Sequence, residues 1–237
     1  MDYDYSNRYS RRRGRGGIFF AAVLVFVFSI CLFVGIFWWN SRAAETFTRD
    51  TSYYFLVRSC EDTTASAVVG EVYFSGGAGY LLEDGKAVVL ACYFSEETAN
   101  SVREGLQEKG VETQILKRTL GEIELNGDAA ESKKRIAANV ETLETCALIL
   151  YDTANALERT EYGQEEARVA LSGVLKVIKG LREENAAIAT LYDVWNAELL
   201  RAERKAIEIY SGILFAKDIR YLQVQLCFTV LNLNRYF

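Results

Sequence analysis

The chain has 237 residues, 50% of them hydrophobic and 25% charged, with a net charge of −5, which suits a folded protein of one or two small domains. It contains no histidine, so the commonest general base, the usual partner of a Ser or Cys nucleophile and the commonest metal ligand are missing; this argues against an ordinary hydrolase. It contains no proline either, so nothing forces a helix to kink or confines a strand to a sheet edge.

Residues 1–17 form a basic tail, with Arg8, Arg11, Arg12, Arg13 and Arg15 set against Asp2 and Asp4. Its net +3 leaves −8 on the rest of the chain. The run "IFFAAVLVFVFSICLFVGIFWW", Ile18 to Trp39, follows without a charge. At about 1.5 Å per residue it is long enough to cross a ~30 Å hydrocarbon layer. Arginines before it and Trp38–Trp39 after it suit a cytoplasmic N-terminus and an aromatic anchor at the far interface. A cleaved signal peptide is the competing reading. Its apolar region spans only about 7–15 residues and ends at a small-residue site, which "NSRAAET" supplies poorly. The expectation is a transmembrane helix at 18–39 in a single-pass type II cell-membrane protein, N-terminus cytoplasmic, with everything after Asn40 exocytoplasmic. An acidic exterior argues against nucleic acid as a partner, and "RRRGR" beside a span is explained by topology.

After a linker at 40–52, "YYFLVRSC", Tyr53 to Cys60, reads as a strand. Asp62 or Thr63 can cap the helix that follows, with Val68, Val69 and Val72 among its apolar positions, and "SGGAG" stops it. "YLL", the turn "EDGK" and "AVVLACYF" make a hairpin. Ser95 caps a second helix with Glu96 and Glu97 in its first turn, and Ala99, Val102 and Leu106 share one face of it. Gly110 ends that helix and "VETQIL" is the last strand. The order is βαββαβ, a ferredoxin-like, four-stranded antiparallel sheet with both helices on one face. By alternation Phe55, Val57, Val89, Ala91 and Ile115 face those helices, and Leu56, Arg58, Val88, Leu90 and Gln114 line the opposite, open face. Cys60 and Cys92 then fall at opposite ends of neighbouring strands, too far apart to be bridged.

"YYFLVRSC", "GGAGYLLEDGKAVVLACYFSEETANSV" and "LQEKGVETQI" together resemble a SPOR domain, the sporulation-related repeat, over about residues 53–117, within a domain expected at 53–120. Arg58 and Cys92 stand where that pattern carries glycine. The resemblance implies binding of peptidoglycan glycan strands, stripped of stem peptides, by the open sheet face, at a bacterial division or sporulation septum. The glycan-binding candidates are accordingly Leu56, Arg58, Val88, Leu90 and Gln114. An alternative is that these positions are only strand formers covered by the rest of the chain.

From Asp128 the pattern is helical to the end, and three or four helices over 128–237 make an all-α bundle. Its stripes are Ile136, Val140, Leu143, Leu150 and Leu157, then Val174, Ile178 and Leu181, then Leu191, Trp195 and Leu199, then Ile213, Ile219, Leu222 and Leu226. Breaks are expected near Tyr162–Gly163 and around Gly180 to Asn185, with a bend at Gly212. Glu141, Glu144, Glu165 and Glu166 read as a solvated face, since nothing pairs them with His or Cys for metal or acid–base work. "SGGAGY" lacks the Lys-Ser/Thr of a phosphate loop. Cys60, Cys92, Cys146 and Cys227 show no CxxC spacing. No cofactor, metal or catalytic residue is expected. The sequence thus supports a non-enzymatic α+β protein acting by localisation, its bundle spacing, self-associating or recruiting a protein partner. The alternatives are a protein–protein scaffold in a membrane complex whose module no longer binds glycan, and an enzyme using Ser, Lys or carboxylates.

Overall fold

The computed structural model describes residues 45–125, 129–186 and 193–235. The stretch expected to cross the membrane, 18–39, lies outside them. Among the described residues no helix is long and apolar enough to cross a membrane. For the described residues the architecture expected from the sequence is therefore corrected to an α+β fold of one four-stranded antiparallel sheet and six helices, none of which crosses a membrane.

The elements are β1 (Glu45–Ser59), α1 (Ala65–Phe74), β2 (Tyr80–Leu81), β3 (Ala87–Tyr93), α2 (Glu96–Gln107), β4 (Gln114–Leu125), α3 (Ala129–Glu158), α4 (Gln164–Ala186), α5 (Asp193–Ser211) and α6 (Ala216–Leu231). A 3-10 turn, Asn232–Arg235, closes the chain. The sheet order is β2-β3-β1-β4. Ser95 caps α2 through the Thr98 N–H, and Gly85, at φ +68, turns the β2–β3 hairpin as "EDGK" suggests. α1 differs in detail: it starts after Thr64, whose side chain makes no cap, rather than after Asp62 or Thr63. The first and last strands, β1 and β4, are longer than expected. Residues 45–52, expected as linker, pair with 119–125 of β4 across an irregularity between Arg49 and Ser52. Residues 45–52 are polar apart from Phe47, and in 119–125 the apolar Leu120, Ile123 and Leu125 break step at Gly121, so neither segment shows a regular hydrophobic alternation.

The sheet is covered on both faces. On one side Tyr54, Leu56, Val88, Ala91 and Tyr93 meet Val68 and Val72 of α1 and Ala99, Val102 and Leu106 of α2. On the other, Tyr53, Phe55, Val57, Val89 and Cys92 enter a core shared with α3 to α6. Phe228 of α6 stacks on Phe55 with ring centroids 4.5 Å apart and on Tyr80 at 5.2 Å. Gln223 of α6 donates through Nε2 to the Cys92 carbonyl at 2.9 Å. Glu144 of α3 accepts from the Tyr53 hydroxyl at 2.9 Å and pairs with Arg49 at 2.5 Å. Module and bundle are consequently one compact unit from Glu45 onward.

The four C-terminal helices run up and down. Asn139 in the first half of α3 bonds Asn185 at the end of α4 (3.1 Å), and Arg182 of α4 pairs with Glu203 of α5 (2.6 Å). Trp195 at the start of α5 donates to the Thr229 carbonyl near the end of α6 (3.2 Å). The α3–α4 break falls at 159–163, as the Tyr162–Gly163 signal suggests. Gly180 breaks nothing: an interior helix glycine costs only about 1 kcal/mol, and Ile178 and Leu181 beside it are buried. Gly212 marks a full break between α5 and α6 rather than a bend.

Candidate binding recess

The five residues expected on an open sheet face do not share one. Leu56 is 1% exposed and Val88 0%, both beneath α1 and α2, and Leu90 is half-buried against the same helices. Phe55, Val57 and Val89, expected under those helices, face the bundle instead. Ala91 and Ile115 do lie on the α1–α2 side. The physical cause is twofold. Leu56 and Phe55 are both apolar because both faces are buried, so alternation in β1 carries no directional information. In β3 the register shifts opposite Leu56–Val57: Ala91 pairs with Leu56 and Val89 with Val57, leaving Leu90 as an extra residue that inverts the parity beyond it.

Arg58 and Gln114 have a different fate. They meet at the end of the sheet, in a recess of about 880 Å³ lined also by Val57, Ser59, Arg103, Gln107 and the loop 110–113. Local structure explains the opening. β4 begins at Gln114, opposite Val57, so β1 continues through Arg58 and Ser59 with β3 beside it and no strand on the other side. α2 ends in a left-handed glycine, Gly110 at φ +79. Its N–H donates to the Gln107 carbonyl at 2.9 Å, and the Val111 N–H donates to the Leu106 carbonyl at 3.0 Å. This closure turns the chain away from β1 before β4 starts and leaves the gap between them.

The lining is polar and carries two guanidinium groups. Arg58 donates to Glu71 of α1 at 2.8 Å. Among the described residues Arg103 has no ion pair, and neither its buried Nε nor the buried Thr113 hydroxyl has a hydrogen-bond partner. Buried donors without partners are uncommon in folded proteins, and these two belong to residues of the recess while exposing almost no surface to it. Cys60, next along from Ser59, is no nucleophile. Its thiol donates to the Gly85 carbonyl at 3.3 Å, and burial, followed by Asp62 and Asp84, raises its pKa. Among the described residues no group of three acidic or cysteine side chains converges on a metal position.

Arg103, Gln107 and Thr113 are absent from the residues singled out by sequence. Arg103 follows Val102 on the polar side of an amphipathic helix, where an arginine reads as solvated, and only the tertiary position of the 110–113 loop brings it over β1. No family model, no curated protein and no solved structure matches the chain.

Proposed function

We propose that this protein is a non-enzymatic interaction scaffold of a membrane complex, in which a SPOR-like sheet has been committed to intramolecular packing. One observation carries the reading: the sheet face that would hold a glycan strand is occupied, with Phe55 and Val89 at 0% exposure under α3 and α6. A glycan could reach those side chains only if α6 lifted, which would strip Phe228 from Phe55 and Tyr80 and leave the Cys92 carbonyl without Gln223. The uncharged run at 18–39 supports a membrane location. The absence of histidine from the whole chain supports a role without catalysis.

The test is co-sedimentation of the 45–237 unit with purified sacculi, before and after an amidase removes the stem peptides. The unit is expected to stay in the supernatant in both cases. At the membrane, the full chain is expected to crosslink to a discrete polypeptide. Enrichment on the stripped glycan, reduced by Arg58→Glu or Gln114→Ala, would overturn the scaffold reading and return the function to peptidoglycan binding.

A further inference from the structure

We propose that Cys92 on β3 and Cys227 on α6 are a disulfide site, joined by thiol–disulfide exchange while the chain folds in an oxidising compartment, so that the bridge fixes α6 over the sheet. The inference takes its compartment from the membrane reading and its geometry from the packing of α6. The structure holds the pair in its reduced form.

Three observations set Cys227 against Cys92. One helical turn before Cys227, Gln223 donates to the Cys92 carbonyl at 2.9 Å. One residue after it, Phe228 stacks at 4.5 Å on Phe55, the cross-strand partner of Cys92. The two sulfurs lie within hydrogen-bonding reach of each other in the same core. The Cα atoms of α6 and β3 come within 8 Å, close to the ~7 Å that a bridge requires. The other thiols are placed differently. Cys60 donates to the Gly85 carbonyl and has Asp62 and Asp84 beside it, and Cys146 on α3 is perturbed by burial alone. Among the described residues, no second sulfur acts on either.

Burial also fixes when the bridge can form. Cys92 is 0% and Cys227 1% exposed, so a donor reaches neither once α6 is seated. Desolvation, and then Cys227, hold the Cys92 thiol well above its usual range, which suppresses the thiolate that exchange needs. Exchange therefore belongs to folding, before α6 docks. One cysteine thiolate attacks the S–S bond of a disulfide donor. A mixed disulfide forms, and the donor's first sulfur leaves and takes up a proton. The second cysteine, as thiolate, attacks the protein sulfur of that mixed disulfide and expels the donor's other sulfur, which is protonated in turn. The two cysteines give up two protons and two electrons, and the donor ends as two thiols. The loop closed this way holds α2, β4 and α3 to α5, and long loops gain most from closure.

The test refolds the reduced 45–237 unit from guanidinium with oxidised and reduced glutathione, blocks free thiols with iodoacetamide and maps the peptides without reduction. A Cys92–Cys227 linked peptide is expected, with Cys60 and Cys146 alkylated. The bridged unit should melt about 5–15 °C above the same unit treated with dithiothreitol. The same glutathione mixture added to the native reduced unit should bridge it at least about tenfold more slowly, since α6 must first lift. Cys227→Ala should leave Cys92 free and remove the rise in Tm. Four free thiols after oxidative refolding, a bridge from Cys92 to Cys60 or Cys146, a Tm that does not rise on bridging, or equal rates in the native and refolding units would each overturn the proposal. No glycan or membrane enters the measurement, so its failure and failure of the scaffold reading are read separately.

Discussion

The contact that most directly tests whether the helices are part of the sheet's core is Tyr53 with Glu144. The hydroxyl of Tyr53, on β1, donates to the α3 carboxylate at 2.9 Å, and Arg49 holds that carboxylate at 2.5 Å. Burial, then the neighbouring thiol of Cys227 and the charge of Glu144, push the phenol's pKa up, so it stays a donor throughout the physiological range. Tyr53→Phe removes the hydroxyl and leaves the ring in place. A hydrogen bond to a charged acceptor contributes about 1.5–3 kcal/mol. The lower end applies, because Arg49 keeps Glu144 paired after the substitution; the expected loss is about 1.5–2 kcal/mol. For a unit of about 190 residues that lowers Tm by about 3–8 °C. Urea titration followed by circular dichroism, with Glu144→Gln and the double variant completing a cycle, gives the coupling directly. A loss below about 0.5 kcal/mol for Tyr53→Phe, or strictly additive single effects, would place this contact at a surface and refute the docking of α3 on β1.

The remaining predictions concern single groups. Cys92 is buried beneath α6, and desolvation, with the adjacent Cys227 sulfur adding to it, raises its thiol pKa. It should resist iodoacetamide in the native unit and react on unfolding, as peptide mass mapping would show; prompt native labelling would mean that α6 is not seated. The phenols of Tyr80 and Tyr93 are pushed up to about 12, chiefly by burial. Their folded pKa lies above the unfolded value, so the stability they contribute is complete below about pH 10 and is lost as pH rises towards 12. Ultraviolet difference titration should find them titrating after the exposed tyrosines, and a single native transition near pH 10 would contradict the burial. Gly77 lies where an added Cβ would sit 2.7 Å from Val72 Cγ1 and 3.3 Å from Leu90 Cα. Gly77→Ala should therefore destabilise by about 1–3 kcal/mol, and a neutral result in thermal melts would mean that the turn relaxes freely.

What the sequence made legible follows from where its signals are local. Ser95, Gly85 and Gly110 each act within a few residues, through a cap, a turn and a left-handed stop, and each sits where the sequence places it. The stripe Ile136, Val140, Leu143 and Leu150 is buried throughout, because a 3.6-residue period is a property of the helix itself. The faces of the sheet were not legible. Phe55 and Leu56 are equally apolar and equally buried, against α6 and α2 respectively, so neither alternation nor composition distinguishes the sides. The extra residue at Leu90 then shifts parity within a strand that shows no glycine or proline to announce it. Of the candidate site, Arg58 and Gln114 were named for a face they do not share. Their convergence depends on β4 starting at Gln114 instead of at Val111.

A sheet buried on both faces has only its edges and ends left for recognition. Its edges here are β2, two residues long, and β4, which is interrupted at the left-handed Gly121 where its register with β1 shifts; neither offers a long flat template for another strand. Its ends differ. At one, β1 and β4 stay paired from Glu45 to Thr48, so the main-chain groups there are satisfied. At the other the pairing stops at Val57 while β1 runs on to Ser59. The unmatched length is two residues, enough for one pair of ladder hydrogen bonds and too little for nonspecific strand addition.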